Sequence, residues 1–300
     1  MKYKWISEHK ERFPVEDLCR VLSVSSSGYY RRLRRPPAQR DIRRAVLATA
    51  VRASHKRSHG IYGYRKVHED LVQEMKLECC RETVRRIMRE AGLRSKVKHK
   101  WVKTTDSDHR YQVAENILDG DFSVDAPNKV WVTDITYIST EEGWLYLAAV
   151  LDLFGRRAVG WSMSKHIDAK LVSDALRMAV TQRGVGKDML HHSDRGSQYC
   201  SDMYQELLKR HGIRCSMSRK GNCWDNACME SFFGSLKAEW TKGKRYATRE
   251  EAKSDIFMYI EMFYNRRRRH ATLGYVSPVE YEERHLAGSN AVSDRGNNVA

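Results

Sequence analysis

An aspartate stands in the middle of a stretch that otherwise predicts a buried strand. Residues 130–138 are rich in β-branched and aromatic side chains, and Asp134 lies at their centre. An acid is costly to bury in such a strand unless it bonds to a local backbone group or faces a cation. Asp134 is therefore either a local cap or a ligand of a cation.

A second acid, Asp194, follows the carboxyl end of a short apolar strand predicted at 189–192, in a loop that also contains Gly196. Active sites and ligand-binding sites of α/β proteins commonly lie at such strand ends. Asp152, in another predicted strand, is a rival candidate. The Phe154-Gly155 pair soon after it favours a place for Asp152 in a turn.

The third acid lies on a predicted helix that begins after Asp225 or Asn226, either of which could serve as its N-cap. Glu230 and Lys237 share one face of that helix, about 10 Å apart along its axis. Such a pair is usually a solvated face. The Glu230–Lys237 pair would take part in catalysis only if acids from other elements of the fold lie close to it.

The predicted elements around these acids allow such convergence. Strands at 130–138, 144–152 and 158–163 are joined by tight turns and predict an antiparallel meander. Helices then alternate with short strands, the first helix being bounded by Asp168 and Gly184. The order β-β-β-α-β-α-β-α predicts an α/β fold of the ribonuclease-H-like type, a mixed sheet flanked by helices, in which the acids would meet.

Asp134, Asp194 and Glu230 would offer hard oxygen ligands, which suit Mg²⁺ or Mn²⁺. Two such ions about 4 Å apart can clamp the attacking and leaving oxygens of an in-line phosphoryl transfer. This chemistry needs no histidine base, so His191 and His192 are interpreted as structural.

The charge of the chain indicates a polyanionic partner. The 300 residues carry a formal net charge of +16. Residues 1–110 hold 28 Lys and Arg against 13 Asp and Glu, whereas the rest of the chain holds 26 against 25. This asymmetry predicts an N-terminal part that binds nucleic acid, joined to a domain of another kind.

Composition also disfavours several other classes of protein. No apolar stretch is long enough to span a membrane, and the N-terminus lacks the apolar core of a signal peptide. The seven cysteines are scattered, as expected for reduced thiols in a cytosol. Cys223 and Cys228 have a C-x4-C spacing with no paired histidines, which favours buried packing over a zinc site.

The N-terminal part is predicted to be all helical. A short helix at 14–22, a polar turn and a basic helix ending at Pro36 form a helix-turn-helix pattern, which defines a first domain at 1–36. A second helical DNA-binding domain is predicted at 37–95.

The most regular helix of that second domain is predicted at 81–91. It has an apolar seam and, on a different face, a stripe of arginines formed by Arg81, Arg85 and Arg89. The stripe is either an ordinary solvated face or, given the basic charge around it, a surface that lies in a DNA groove.

Composition sets the remaining boundaries. They are a basic linker at 96–127, a catalytic core at 128–240, a C-terminal helical extension at 241–286 and a disordered tail at 287–300. The extension contains a helix that starts at a capping box of Thr248 and Glu251. Four arginines end it, and they either cap the helix in water or contact phosphate: Arg266, Arg267, Arg268 and Arg269.

The motifs around the three acids closely resemble those of the IS3 group of bacterial insertion-sequence transposases, members of the DDE or retroviral-integrase superfamily. The two later acids of that family are separated by thirty-five residues, as Asp194 and Glu230 are. The resemblance covers nearly the whole chain. It rests on residues 131–137, 192–199 and 225–233 for catalysis, 264–270 and 273–278 in the C-terminal part, and 62–65 and 83–86 in the N-terminal part.

The resemblance implies a second-reading-frame product that cuts DNA at element ends and transfers the exposed 3′-OH to another DNA strand. It implies a bacterial, cytoplasmic, nucleoid-associated protein that binds terminal inverted repeats and target DNA. A homo-oligomer is expected because two ends must be joined, and the product of an upstream overlapping frame is a possible partner. The chain departs from retroviral integrases in lacking their His/Cys zinc module, and Cys79-Cys80 stand where a polar N-cap is common.

On this interpretation Asp134 would bridge two metal ions, Asp194 would hold one and Glu230 the other. Lys237 would contact DNA near the scissile phosphate, and two residues of the loop after Asp194, namely Arg195 and Gln198, would touch DNA beside the metals. Two rival functions remain: a DNA-binding regulator with an inactive nuclease-like domain, and a nuclease of the same fold that acts on RNA–DNA hybrids.

Overall fold

The structure of the protein is a computed structural model. It describes residues 2–34, 36, 38–96, 114–118, 124–186, 188–218 and 226–296, with the backbone alone described after residue 288. Most of the predicted linker at 96–127 therefore lies outside the described residues.

A five-stranded mixed sheet forms the centre of the second half of the chain, with strand order β3-β2-β1-β4-β5. Strands β1, β2 and β3 make the predicted antiparallel meander, whereas β4 pairs parallel to both β1 and β5. The ribonuclease-H-like fold expected from the element order is confirmed. The strand bounds are β1 Val130–Thr140, β2 Gly143–Asp152, β3 Arg157–Ser164, β4 Leu190–Ser193 and β5 Arg214–Met217.

Helices cover both faces of this sheet. On one face pack α7 (Ala169–Arg183) and α8 (Asp202–Arg210), whose apolar side chains meet those of Trp131 and Val150. On the other face pack α9 (Ala227–Ser235) and α10 (Arg249–Phe257). The sheet is thus buried on both sides, which explains why its strands read as nearly continuous apolar runs.

Helices α7 and α10 begin at the residues that the sequence predicts, and α7 also ends where predicted. Asp168 accepts a hydrogen bond from Leu171 N at the start of α7, and Gly184 follows its last residue with a positive φ of 68°. Thr248 accepts one from Glu251 N at the start of α10, as in the predicted capping box.

The N-terminal part contains six helices within the described residues. Helices α1 (Lys2–His9), α2 (Val15–Val21) and α3 (Ser26–Arg34) share a small core that includes Ile6 and Tyr29. Helices α4 (Gln39–Arg57), α5 (Tyr64–Glu69) and α6 (Arg81–Glu90) join the same core cluster as α9 and α10. The sequence did not predict α1, which lacks a clear apolar period.

Three helices of the chain are prolonged by a wider, π-type turn. These extensions are Asp70–Glu74 after α5, Leu236–Thr241 after α9 and Met258–Tyr264 after α10. A short 3₁₀ turn at Ala271–Leu273 and a final helix α11 (Pro278–Gly296) complete the fold. Helix α11 continues to Gly296, so most of the segment predicted to be a disordered tail, residues 287–300, is helical. Within the described residues, no helix is both long and apolar enough to cross a membrane.

Candidate active site

Strands β1 and β4 place the first two acids beside each other. The parallel register pairs Trp131 with His191 and Val132 with His192. Two residues further along each strand lie Asp134 and Asp194, so a continuation of this register makes them neighbours. Strand β4 ends at Ser193, and its printed pairing with β1 stops at Val132. The edge of β1 around Asp134 is therefore not covered by β4.

A tight turn orients the carboxylate of Asp194. Its Oδ1 accepts a hydrogen bond from Gly196 N at 2.9 Å. A Cβ added to Gly196 would lie 3.0 Å from that oxygen and 2.9 Å from Gln198 Oε1. A larger residue at position 196 would therefore have to displace the ends of these two side chains, one of which is the Asp194 carboxylate.

Asp134 has a local backbone partner, Ile135, and a nearby cation, Lys237. These are the two explanations that its position in an apolar strand suggested. Asp134 Oδ1 accepts a hydrogen bond from Ile135 N at 2.7 Å, which is a local bond. The pKa of Asp134 is raised to about 8, first by burial and then by the charges of Asp194 and Glu230, while the Ile135 bond and the charge of Lys237 oppose the rise. Carboxylates that disfavour one another's ionisation are a set to which a cation would bind.

Helix α9 is tied to β1 by the residue at its N-cap. Asn226 is buried, and its Nδ2 donates to the backbone oxygen of Thr133, the residue before Asp134, at 3.3 Å. It makes no side-chain cap bond of the predicted kind. Asp225, the alternative cap, lies outside the described residues. Glu230 follows on the exposed side of the first turns of α9.

Lys237 lies in the extension of α9 and reaches back to β1. Its Nζ is 4.5 Å from the centroid of the Tyr137 ring. Burial lowers the pKa of Lys237, and the charge of Asp134 raises it. Lys237 therefore lies close enough to Asp134 for their charges to interact, and its contact with DNA stays a prediction.

The donor set fits hard divalent cations, because it consists of carboxylates that repel one another. As the side chains stand, no three Asp, Glu, His or Cys residues in the described ranges form a group close enough to hold a metal ion. Neither of two cavities, near Arg57 and near Lys244, is lined by the three acids. Asp134 and Asp194 are half-buried, whereas Glu230 is exposed.

Two residues predicted to touch DNA beside the acids are engaged within the loop. Arg195 Nε donates to the backbone oxygen of Ser218 at 2.7 Å, which joins the Asp194 loop to the end of β5. Gln198 is half-buried, and its Oε1 lies next to Gly196. Arg195 thus supports the shape of the loop.

The four arginines at the end of the C-terminal helix divide into two classes, which corrects the interpretation of all four as phosphate contacts. Arg268 is buried and bonds both carboxylate oxygens of Glu239 at 2.6 Å. Arg269 is buried and pairs with Asp70. Because their guanidinium groups are held inside the protein, Arg268 and Arg269 are structural. Arg266 and Arg267 are exposed.

The arginine stripe of α6 is on the surface as predicted. Val84, Ile87 and Met88 are buried on the opposite side, whereas Arg81, Arg85 and Arg89 are exposed. Arg81 pairs with Glu69 at 3.0 Å, and Arg85 approaches Glu82 at 3.5 Å.

The rival candidates have structural roles. His191 is buried against the hydroxyl of Tyr204 at 3.0 Å, and His192 against that of Ser216 at 2.9 Å. Asp152 is the last residue of β2, just before the turn, and is fully buried; it accepts bonds from Asn128 N and Phe154 N.

One of the two cysteines with the C-x4-C spacing packs in the interior. Cys228 is buried and its Sγ contacts the guanidinium of Arg156. Cys223 lies outside the described residues.

Sequence reasoning missed two contacts that shape the site. The sequence gives only a weak signal for the bond from Asn226 to β1, because an asparagine at this position predicts an N-cap and nothing further. The bonds from Arg268 to Glu239 and Ser235 fasten the end of α9 to the C-terminal extension. In the sequence, Arg268 cannot be told apart from its exposed neighbours.

Models of known families match three parts of the chain. An integrase core domain model matches residues 124–223, a second integrase core domain model matches residues 230–286, and an HTH-like domain model matches residues 41–101. The first two ranges together contain the three acids.

Whole-chain relatives are also found. The transposase InsF for insertion sequence IS3A of Escherichia coli (strain K12) is 43% identical over 292 residues, which cover 96% of this chain and 100% of the relative. The insertion element IS600 uncharacterized 31 kDa protein of Shigella sonnei is 42% identical, over 89% of this chain and 98% of the relative. Among solved structures, the HTLV-2 integrase catalytic core domain in complex with magnesium is 15% identical, over 52% of this chain and 97% of that one, with a TM-score of 0.40.

Proposed function

The chain belongs to the IS3 family of insertion-sequence transposases, polynucleotidyl transferases of DNA transposition, and we propose that it cuts DNA at element ends and joins the freed 3′-OH to a second DNA strand. The observation that carries the proposal is the placement of the acids. Asp134 lies on β1, Asp194 directly follows the adjacent parallel strand β4, and Asn226 ties the helix of Glu230 to β1 at Thr133.

Asp134, Asp194 and Glu230 would together hold two divalent ions, with Asp134 shared between them. Mg²⁺ is the expected ion, and Mn²⁺ suits the same oxygen ligands. When bound, such ions supply charge stabilisation to the attacking and leaving oxygens of phosphoryl transfer. The chain's own contribution is to hold the three carboxylates in place through the Gly196 turn and the Asn226 bond.

Lys237 would contact the DNA strand beside the acids. Its ammonium lies 4.5 Å from the centre of the Tyr137 ring and interacts with the charge of Asp134, and there it would meet a phosphate. Since His191 and His192 are buried and bonded to Tyr204 and Ser216, neither of them would act as a general base.

Recognition of the element ends is assigned to the basic N-terminal helices. The exposed arginines of α6 would lie along duplex DNA, and Arg266 and Arg267 would add phosphate contacts. Because two ends must be joined, the active form would be a dimer or larger assembly. The product of an upstream reading frame is a further proposed partner.

Substitution of the acids tests the catalytic assignment. Asp134→Asn, Asp194→Asn and Glu230→Gln should each abolish Mg²⁺-dependent cleavage of a duplex that carries the element end, while end binding is retained. Glu206→Gln, an exposed acid on α8, is the matched control and should cleave normally. Cleavage by any one of the three variants would remove that residue from the catalytic set.

The products of the same reaction separate the rival functions. A transposase joins the cut 3′-end to a second duplex, which gives a product longer than either substrate. A nuclease specific for RNA–DNA hybrids would give cleavage without joining, and a regulator with an inactive domain would give neither.

The contribution of the N-terminal helices to end recognition needs point variants. Removal of residues 1–100 would also remove Asp70, the buried partner of Arg269, and so would disturb the C-terminal extension. Arg85→Ala in α6 should instead reduce the affinity for the element end and shrink the footprint, with thermal stability unchanged. An unaltered footprint would show that α6 does not read the end.

A further inference from the structure

Two large aromatic side chains are exposed next to the acids. Tyr137 on β1 and Trp144 on β2 keep 42% and 50% of their surface accessible to solvent, and their rings meet edge to face at 4.9 Å. Tyr137 is three residues after Asp134, about 10 Å along the strand, and Trp144 pairs with Ser139, about 17 Å from Asp134 along the strand. Exposed aromatic pairs of this kind usually mark a contact surface.

This aromatic pair, Tyr137 and Trp144, is held on a rigid support. Arg249 at the start of α10 donates from Nε to Trp144 O at 3.1 Å and from Nη2 to Glu142 O. The tip of the β1–β2 hairpin is also bonded through Glu141 N to Tyr246 O at 2.9 Å. The pair is therefore fixed in position before any ligand arrives, which lowers the entropic cost of binding.

Lys237 connects the aromatic pair with the acids. Strict alternation would direct Asp134 and Tyr137 to opposite faces of β1. Lys237 nevertheless places its ammonium over the Tyr137 ring and acts electrostatically on Asp134, at the edge that β4 leaves uncovered. Aromatic rings and a positive charge therefore lie side by side there. Proteins that bind single-stranded nucleic acid by stacking its bases combine the same two features.

We propose that the aromatic pair is a stacking site for an unpaired DNA base beside the scissile phosphate. The base stacks on the exposed face of the Trp144 ring, and the Tyr137 ring packs against Trp144 and supports it. Lys237 contacts the adjoining phosphate. The inference rests on the proposed function, since it requires a DNA strand at the acids. Its consequence is that base pairs at the element end open before cleavage, and that the aromatic pair offsets part of the cost of opening.

The test compares Trp144→Ala with Trp144→Phe on two duplexes, one fully paired at the element end and one with a mismatch next to the cleavage site. Stacking on an aromatic ring corresponds to about a 5- to 150-fold effect. Trp144→Ala should lose cleavage of the paired duplex by a factor in this range and regain much of it on the mismatched duplex. Trp144→Phe should retain most of the activity on both.

Phe257→Ala is the control, since Phe257 is an exposed aromatic of the same domain on α10. It should cleave both duplexes as the parent does. A 2-aminopurine placed at the base beside the cleavage site should fluoresce less with the parent protein than with Trp144→Ala, because stacking quenches it.

The outcomes distinguish this inference from the proposed function. Absence of cleavage by the parent protein would overturn the proposed function itself. Cleavage that is equal in Trp144→Ala and Phe257→Ala, on both duplexes, would overturn the stacking site. A changed oligomeric state of Trp144→Ala with unchanged cleavage would overturn it as well, in favour of a protein contact. Trp144→Phe remains informative if the alanine variant folds poorly.

Discussion

Replacement of Arg268 by alanine should destabilise the fold rather than weaken the contact with DNA. The guanidinium bonds both carboxylate oxygens of Glu239 at 2.6 Å and Ser235 Oγ at 3.1 Å. The side chains of Arg268 and Glu239 are 8% and 7% exposed. Ser235 ends α9, and Glu239 lies in its extension. Arg268 therefore fixes the far end of the helix that carries Glu230.

The magnitude follows from what the substitution leaves behind. Without Arg268, the buried carboxylate of Glu239 loses its bidentate partner, and breaking a buried ion pair in this way costs about 3–5 kcal/mol. That is a large part of the roughly 5–15 kcal/mol by which a domain is usually stable. The exposed neighbour Arg266 should behave differently, with Arg266→Ala changing the free energy of unfolding by no more than about 0.5 kcal/mol.

Urea denaturation and salt-dependent DNA binding together give the assay. Arg268→Ala should lower the urea midpoint and leave the slope of log affinity against log salt unchanged. Arg266→Ala should keep the midpoint and reduce the slope by about one, as expected for the loss of one phosphate contact. The double variant Arg268→Met, Glu239→Leu should recover much of the lost stability. A stable Arg268→Ala protein with a reduced salt slope would refute the structural role.

Three further substitutions have defined outcomes. Gly196→Ala should reduce cleavage at least tenfold with little change in thermal stability, because a Cβ would press on the Asp194 carboxylate; normal turnover would show that the turn is not critical. Gly160→Ala should cost about 1–3 kcal/mol in urea denaturation, since its Cβ would lie 2.3 Å from Ala175 O, and an unchanged midpoint would contradict that close packing. Burial lowers the pKa of His191 to about 3, so below about pH 6.5 the unfolded chain binds a proton that the folded protein does not, and stability falls as the pH drops. His191→Gln should flatten that fall over a pH series, and an unchanged slope would exclude His191 as its cause.

Local patterns were sufficient to predict most elements of the catalytic domain. The strands and their order follow from runs of β-branched and aromatic residues, and the helix ends follow from Asp168, Thr248 and Gly184. Each of these signals depends on only a few neighbouring residues, so a single sequence is enough to detect it. Asp134 was noticeable for the same reason, because an acid conflicts with the apolar strand around it.

Contacts between distant residues could not be predicted in this way. Arg268 and Arg269 look like solvated helix-end charges, because their partners Glu239 and Asp70 lie 29 and 199 residues away. The association of Lys237 with Tyr137 likewise depends on where β4 ends, which no local pattern specifies. Burial of a charged side chain becomes visible only when the fold brings its partner to it.

The buried pairing between the second helical domain and the C-terminal extension limits how such chains can be recombined. Asp70 and Arg269 form an ion pair, and the Tyr62 hydroxyl both donates to Arg267 O and accepts from Arg269 N. A chimera that joins the helical domain of one relative to the catalytic domain of another would replace only one side of this contact. Exchange of DNA-end specificity between relatives should therefore succeed when Tyr62, Asp70 and Arg269 are inherited as a unit, and fail when a crossover in the linker separates mismatched partners.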